Sequence, residues 1–326
     1  MNLILTTGCN KGCSYCFAKN VREEYGVNTM TMETFNTLLD KIEKLKDPHA
    51  KLLGGEPTTH PQFIEMLDEL IKRKIPTTII SNFLFNEEIR NKIIELIKNV
   101  KVEFLVNGSD LEHNNLIEKW AANYNYIYKF LYNFDIEEQM KVGYTIEKDK
   151  SWKYYVKYTD FLLKHIHKIE RLRLSLDFPG DEKRKNDFYF INNTDLGETF
   201  LILTKKALDI GARPSIDCII YPCMFENKEE FKYIRKFSET FKTKCDGVPF
   251  DVFPNQEAIY CYPLKKLAIN TTEYNDLDAA VGELKNKAND IKKNIQVPEE
   301  CQKCSFYGAE CAGPCLGFFK LEGMND

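Results

Sequence analysis

The chain has 326 residues, 43% of them hydrophobic, enough for one large domain and a smaller appended one. The formal net charge is −4, with Lys and Arg scattered among Glu, so the basic stripe that a nucleic-acid partner leaves is missing. No apolar run approaches the ~18 residues of a transmembrane helix, and the opening MNLILTTGCN is too poor in apolar residues for a secretory signal, so a cytoplasmic protein is expected.

The first two-thirds of the chain alternates short apolar runs with amphipathic stretches. Strands are expected at Leu3–Thr6, Lys51–Leu53, Thr77–Ile80, Val102–Val106, Lys141–Ile146 and Leu172–Leu176. Between them, Met32, Phe35, Leu39 and Ile42 share one helical face, as do Phe63, Met66, Leu67 and Leu70, then Ile93, Ile94, Leu96 and Ile97. Further helices are expected over about 115–131, 152–167 and 195–210. Strand–helix units in series imply an α/β fold, a parallel sheet with right-handed crossovers whose chemistry gathers at the carboxyl ends of the strands. After about residue 211 the pattern changes. Asp251–Phe253 and Ala258–Tyr260 read as a hairpin, a helix is expected over about 277–293, and the tail from Cys301 to Phe319 is rich in Cys and Gly. Such a tail needs a staple such as a metal centre.

Eleven cysteines are too many for incidental thiols in a reducing compartment and suggest metal. Three lie between 9 and 16, and eight between 218 and 315. Cys9-Asn-Lys-Gly-Cys13-Ser-Tyr-Cys16 is C-x3-C-x2-C. A closed 4Fe-4S cluster takes four thiolates, so a tight loop that offers three leaves one iron open. A structural zinc site, or a cluster with a fourth cysteine from afar, are the alternatives that spacing leaves.

C-x3-C-x2-C just after the first strand, with Tyr15 before the last cysteine, resembles the signature of the radical S-adenosylmethionine (SAM) superfamily. Gly54-Gly55-Glu56-Pro57, after the second strand, resembles the superfamily segment that binds the methionine amino group of SAM. The resemblance covers about residues 1–210 and implies a partial (β/α)6 barrel. It also implies a SAM-binding 4Fe-4S cluster on Cys9, Cys13 and Cys16, and reductive cleavage of SAM to a 5'-deoxyadenosyl radical that abstracts hydrogen from a substrate. Ser81, Asn82 and Asn107 fall where the family contacts SAM, and an ordinary turn role is the competing reading for each. His60, ahead of Pro61 at a helix start, reads as structural. No catalytic acid or base is assigned.

Cys301-x2-Cys304-x6-Cys311-x3-Cys315 is similar to the core of SPASM domains, the auxiliary-cluster extension of some radical SAM enzymes, and Cys245-x15-Cys261 encloses the hairpin as the front half of such domains does. Two features depart from that pattern: one residue is added between Cys304 and Cys311, and no cysteine follows Cys315. Cys218 and Cys223 are the candidates to compensate. The resemblance implies two auxiliary 4Fe-4S clusters in a domain over 211–326, with Cys301, Cys304 and Cys311 sharing one cluster and Cys315, Cys261 and Cys245 the other. Cys218 and Cys223 fill the remaining places in an order the sequence leaves open. A zinc knuckle and a twitch-like domain with a single auxiliary cluster are the alternatives. Enzymes of this type mostly modify peptides or proteins, by cross-linking or oxidation, so a peptide substrate is expected, with a flavodoxin or ferredoxin as reductant. Radical oxidation or epimerisation of a small molecule such as a sugar is the alternative. Tyr262, immediately after Cys261, is expected to pack against a cluster.

Overall fold

The computed structural model describes residues 1–16, 18–98, 100–112, 115–177, 188–217, 219–245 and 250–319. Cys218 lies outside the described residues. The elements follow one another as β1 (Asn2–Thr6), α1 (Lys19–Tyr25), α2 (Met32–Ile42), β2 (Ala50–Gly54), α3 (Phe63–Lys72), β3 (Thr77–Ser81), α4 (Glu87–Ile97), β4 (Val102–Asn107) and α5 (Leu116–Tyr132). Next come β5 (Met140–Ile146), α6 (Trp152–Leu163), β6 (Arg171–Leu176), α7 (Thr194–Asp209), β7 (Arg213–Ile216) and α8 (Lys228–Phe237). The C-terminal part holds β8 (Asp251–Val252), β9 (Glu257–Ile259), β10 (Ile269–Asn270), α9 (Leu277–Asn294) and α10 (Glu299–Gln302).

The six expected strands form, and β1 to β7 lie side by side in chain order, every neighbouring pair parallel. Helices alternating with strands enforce this order, because each crossover must bury its apolar stripe on the sheet. The helix starts are built locally. Thr31 caps α2 by accepting from the Thr34 N–H, and Asn86 caps α4 by accepting from the Ile89 N–H. Phe35, Leu38, Leu39 and Ile42 of α2, Phe63, Met66, Leu67 and Leu70 of α3, and Trp120, Tyr124 and Ile127 of α5 are all buried in one core with the strands. No helix among the described residues is long and apolar enough to cross a membrane.

The structure adds elements that periodicity missed. β7 extends the parallel sheet beyond residue 210. α8 is hidden in a charged run, KEEFKYIRKF, in which only Phe231 and Ile234 are buried. α6 ends at Leu163, short of 167. The hairpin forms, but it does not stand apart. β8 pairs parallel with β1, Asn2 opposite Asp251 and Leu3 opposite Val252, and β9 and β10 continue the sheet antiparallel. A strand edge left open at β1 would expose unpaired backbone groups, and β8 closes it.

Candidate functional site

The loop from Thr7 to Cys16 follows β1 and is fastened to the carboxyl ends of four further strands. At β2 the tie is backbone to backbone: Gly55 N–H donates to Thr6 O and Glu56 N–H to Gly8 O, both at 2.8 Å. This contact explains both glycines. A Cβ on Gly54, whose φ is +155°, would stand 2.2 Å from Thr6 O, and one on Gly55 would stand 2.1 Å from Gly8 O. At β3, Asn82 Nδ2 donates to Asn10 Oδ1 at 2.7 Å, and Asn10 Nδ2 reaches Leu84 O at 3.3 Å. At β4, the Tyr15 hydroxyl meets the Asn107 amide at 3.0–3.1 Å, and Lys11 Nζ donates to Ser109 O. Ser14 Oγ reaches Glu147 Oε2, just past β5, at 3.3 Å.

Glu56 is buried, and it caps the 3-10 turn of Pro57–Thr59. Its Oε1 accepts from Thr58 N–H at 3.2 Å, Thr58 Oγ1 at 2.6 Å and Ser81 Oγ at 2.8 Å, while Oε2 accepts from Asn82 N–H at 2.7 Å. Burial pushes this carboxyl up, and the Thr58, Asn82 and Ser81 donors pull it back. Sequence reasoning put Ser81, Asn82 and Asn107 at strand ends, where they are. Their side-chain bonds run to Glu56, to the cysteine loop and to their own turns. Asn82 Oδ1 takes Leu84 N–H, and Asn107 Oδ1 takes Ser109 N–H. Pro57 starts the turn that Glu56 caps. His60 is locked at both ring nitrogens, by Met30 O at 2.8 Å and Gln62 N–H at 3.0 Å.

Cys9, Cys13 and Cys16 are partly buried and are not joined in disulfides. Burial raises the Cys9 thiol. The Lys11 N–H and then Arg22 oppose this, while Glu56 and Cys13 add to it. Burial also raises Cys13, opposed by Lys11 and a hydrogen bond from Tyr15. Three thiols with Lys11 and Arg22 beside them fit an anionic thiolate-bound group, whose metal would hold the sulfurs deprotonated. Arg22 is held in place by donating from Nε to Thr7 O at 2.7 Å. Asn10, Lys11 and Arg22 escaped the sequence reading. The one signal for Lys11 and Arg22 was a cation within and just after a cysteine loop.

In the C-terminal part the cysteines face two spaces. The first is lined by Cys223, Cys301, Cys304 and Cys311, with Phe190 and Phe306 among its apolar walls. The second is lined by Cys245, Cys261 and Cys315, with Tyr260 beside them. Gly313 and Pro314 border both. The Cys301 thiol is pushed up to about 11, by burial first and then by Cys223, Cys311 and Cys304. Burial raises Cys261 well above its ordinary value, and Cys315 and Cys245 add to it. The Tyr260 hydroxyl stands 3.7 Å from Cys245 Sγ. Among the described residues no three His, Cys, Asp or Glu side chains converge closely enough to share a single metal ion. Tyr262 is buried with Ile4, Val21, Phe253 and Ile259, and Cys16 packs against that group.

An in-order parallel sheet with a three-cysteine loop across its carboxyl rim defines a class, and sequence comparison gives the same answer. Residues 3–134 match the radical SAM superfamily model, so the chain carries a radical SAM domain, followed by a Cys-rich region consistent with a SPASM-like domain. Among curated relatives, it is 34% identical over 97 residues to the tungsten-containing aldehyde ferredoxin oxidoreductase cofactor-modifying protein of Pyrococcus furiosus. It is 28% identical over 111 residues to the antilisterial bacteriocin subtilosin biosynthesis protein AlbA of Bacillus subtilis. These matches take in 29% and 34% of this chain, and they span only 27% and 23% of the two relatives. Among solved structures, Streptococcus suis SuiB bound to S-adenosylmethionine superposes with a TM-score of 0.65 at 15% identity, over 98% of this chain and 75% of SuiB. The fold is therefore the radical SAM fold of SuiB.

Proposed function

We propose that the chain is a radical SAM enzyme that modifies a peptide or protein, with residues 1–210 as the catalytic barrel and 211–326 as a domain for auxiliary clusters. The observation that carries this reading is the three-thiol loop spread over the rim of the sheet beside the Gly54–Pro57 segment. Cys9, Cys13 and Cys16 would hold a 4Fe-4S cluster, which would supply the electron for reductive cleavage of SAM and so for hydrogen abstraction from the substrate. The protein's part is orientation and exclusion of water. Tyr15, Asn82 and Asn107 hold the loop, and Lys11 and Arg22 set cations beside the thiolates. Glu56, buried and braced by Thr58, Ser81 and Asn82, fixes the Gly54–Pro57 backbone at the rim, where it would meet SAM.

The remaining eight cysteines are the ligands of two auxiliary 4Fe-4S clusters in this reading, as electron relays toward a flavodoxin- or ferredoxin-type partner. Support for a peptide substrate comes from two relatives. SuiB has been solved with its precursor peptide SuiA, and AlbA serves biosynthesis of a bacteriocin. The test is isotopic. Reconstituted full chain, SAM and reductant are incubated with a fully deuterated peptide pool or with a deuterated monosaccharide pool. Deuterium is expected in 5'-deoxyadenosine from the peptides alone. Transfer from the sugars alone would replace the peptide with a small molecule.

A further inference from the structure

The departure from the SPASM pattern has a structural counterpart. Cys301, Cys304 and Cys311 offer three thiolates, one short of a closed cube. The structure brings a fourth thiol to the same space, and it comes from the other direction along the chain. Cys223 sits in the 3-10 turn Pro222–Met224, directly after the parallel sheet, and lines the space that Cys301, Cys304 and Cys311 line. Cys245, Cys261 and Cys315 line the other space, beyond Gly313 and Pro314.

Building on the auxiliary-cluster reading above, we propose that Cys223 is the fourth ligand of the Cys301–Cys304–Cys311 cluster, so that this cluster is closed from the barrel side of the chain and clamps the tail onto α7. The turn carrying Cys223 is pressed on that helix, where a Cβ on Gly197 would lie 1.8 Å from Met224 O. The tail meets the same region through side chains. Phe318 packs on Phe190 with ring centroids 4.6 Å apart, Phe190 stacks on Tyr221 at 4.2 Å, and the Tyr221 hydroxyl accepts from Cys315 N–H at 3.0 Å. A cluster at this point therefore spans two segments about eighty residues apart whose surroundings are already packed together, which is the arrangement in which metal binding contributes to folding.

The experiment uses the full chain lacking Cys9, Cys13 and Cys16, so that only auxiliary iron is counted, with iron analysis and EPR of the reduced protein. About eight irons, from two cubes of four, and two cluster signals are expected. Cys223→Ala should reduce this to about four and remove the signal that Cys304→Ala removes, while Cys261→Ala removes the other. Gly197→Ala, which removes no thiol but displaces the turn that carries Cys223, should weaken the same signal as Cys223→Ala. Retention of both signals in Cys223→Ala, or loss of the signal that depends on Cys261, would overturn the assignment while leaving the two clusters standing. A parent protein with about four irons would end the two-cluster reading. The Cys223 assignment would survive that result only if Cys223→Ala and Cys304→Ala each emptied the site. A parent protein without iron would overturn both.

Discussion

The Glu56 carboxylate takes four hydrogen bonds in a space closed to solvent, and three of its donors come from Thr58 and Ser81 onto one oxygen. The fourth is the Asn82 backbone N–H, which has only Oε2 to receive it. Glu56→Gln is therefore not a mild change. Its amide nitrogen would face the Asn82 N–H, donor against donor, and the orphaned buried N–H costs on the order of 1–3 kcal/mol. The expected result is a lower unfolding midpoint together with a raised KM for SAM, checked by thermal denaturation and by initial rates of 5'-deoxyadenosine formation. An unchanged midpoint would mean that the bracing bonds are immaterial. Gly54-Gly55-Glu56-Pro57 was legible as a motif, but its internal wiring was not. Which atoms Glu56, Asn82 and Asn107 hold is settled by the meeting of β2, β3 and β4, and nothing in the spacing of those residues along the chain encodes it.

The pairing of β8 with β1 buries Asp251 beside Asn2, whose Nδ2 donates to Asp251 Oδ1 at 2.5 Å while Asn2 Oδ1 has no partner among the described residues. Burial pushes the Asp251 carboxyl up to about 7, although Asn2 and Lys51 pull the other way. The neutral acid has a hydrogen to give to Asn2 Oδ1, and the carboxylate does not. Because the folded value lies above the unfolded value of 3.8, the stabilisation is present below that value and is lost as pH climbs through about 7. Asp251→Asn keeps both partners of Asn2 at every pH. Its stability relative to the wild type should rise by a few kcal/mol between pH 5 and pH 8, because the wild type loses about 1.4 kcal/mol for each pH unit between its unfolded and folded values. Denaturant titrations at the two pH values check this, and parallel curves would contradict it. The elements themselves were largely readable where apolar periodicity was strong, as in β1 to β6 and α2 to α5. The misses have particular causes. α8 buries only Phe231 and Ile234 in a charged run, and the hairpin's pairing with β1 depends on an open edge some 250 residues away, which no local pattern announces.

At the scale of the molecule, two groups of thiols face two spaces on either side of Gly313 and Pro314, and a third thiol set lies on the rim of the parallel sheet. The division of the cysteines into an N-terminal and a C-terminal set was plain in the sequence. The meeting of Cys223 with Cys301 at one space was not, because it depends on the tail packing against Phe190 and Tyr221. The rim site is the centre of the proposed chemistry. Full-length protein is reconstituted with iron and sulfide under anaerobic conditions, supplied with SAM and a low-potential reductant, and 5'-deoxyadenosine is measured beside the variant lacking Cys9, Cys13 and Cys16. The wild type should form 5'-deoxyadenosine, and the variant should form none while keeping about eight irons from two intact auxiliary cubes. Cleavage of SAM by the variant at the wild-type rate would contradict the assignment of the radical chemistry to this loop.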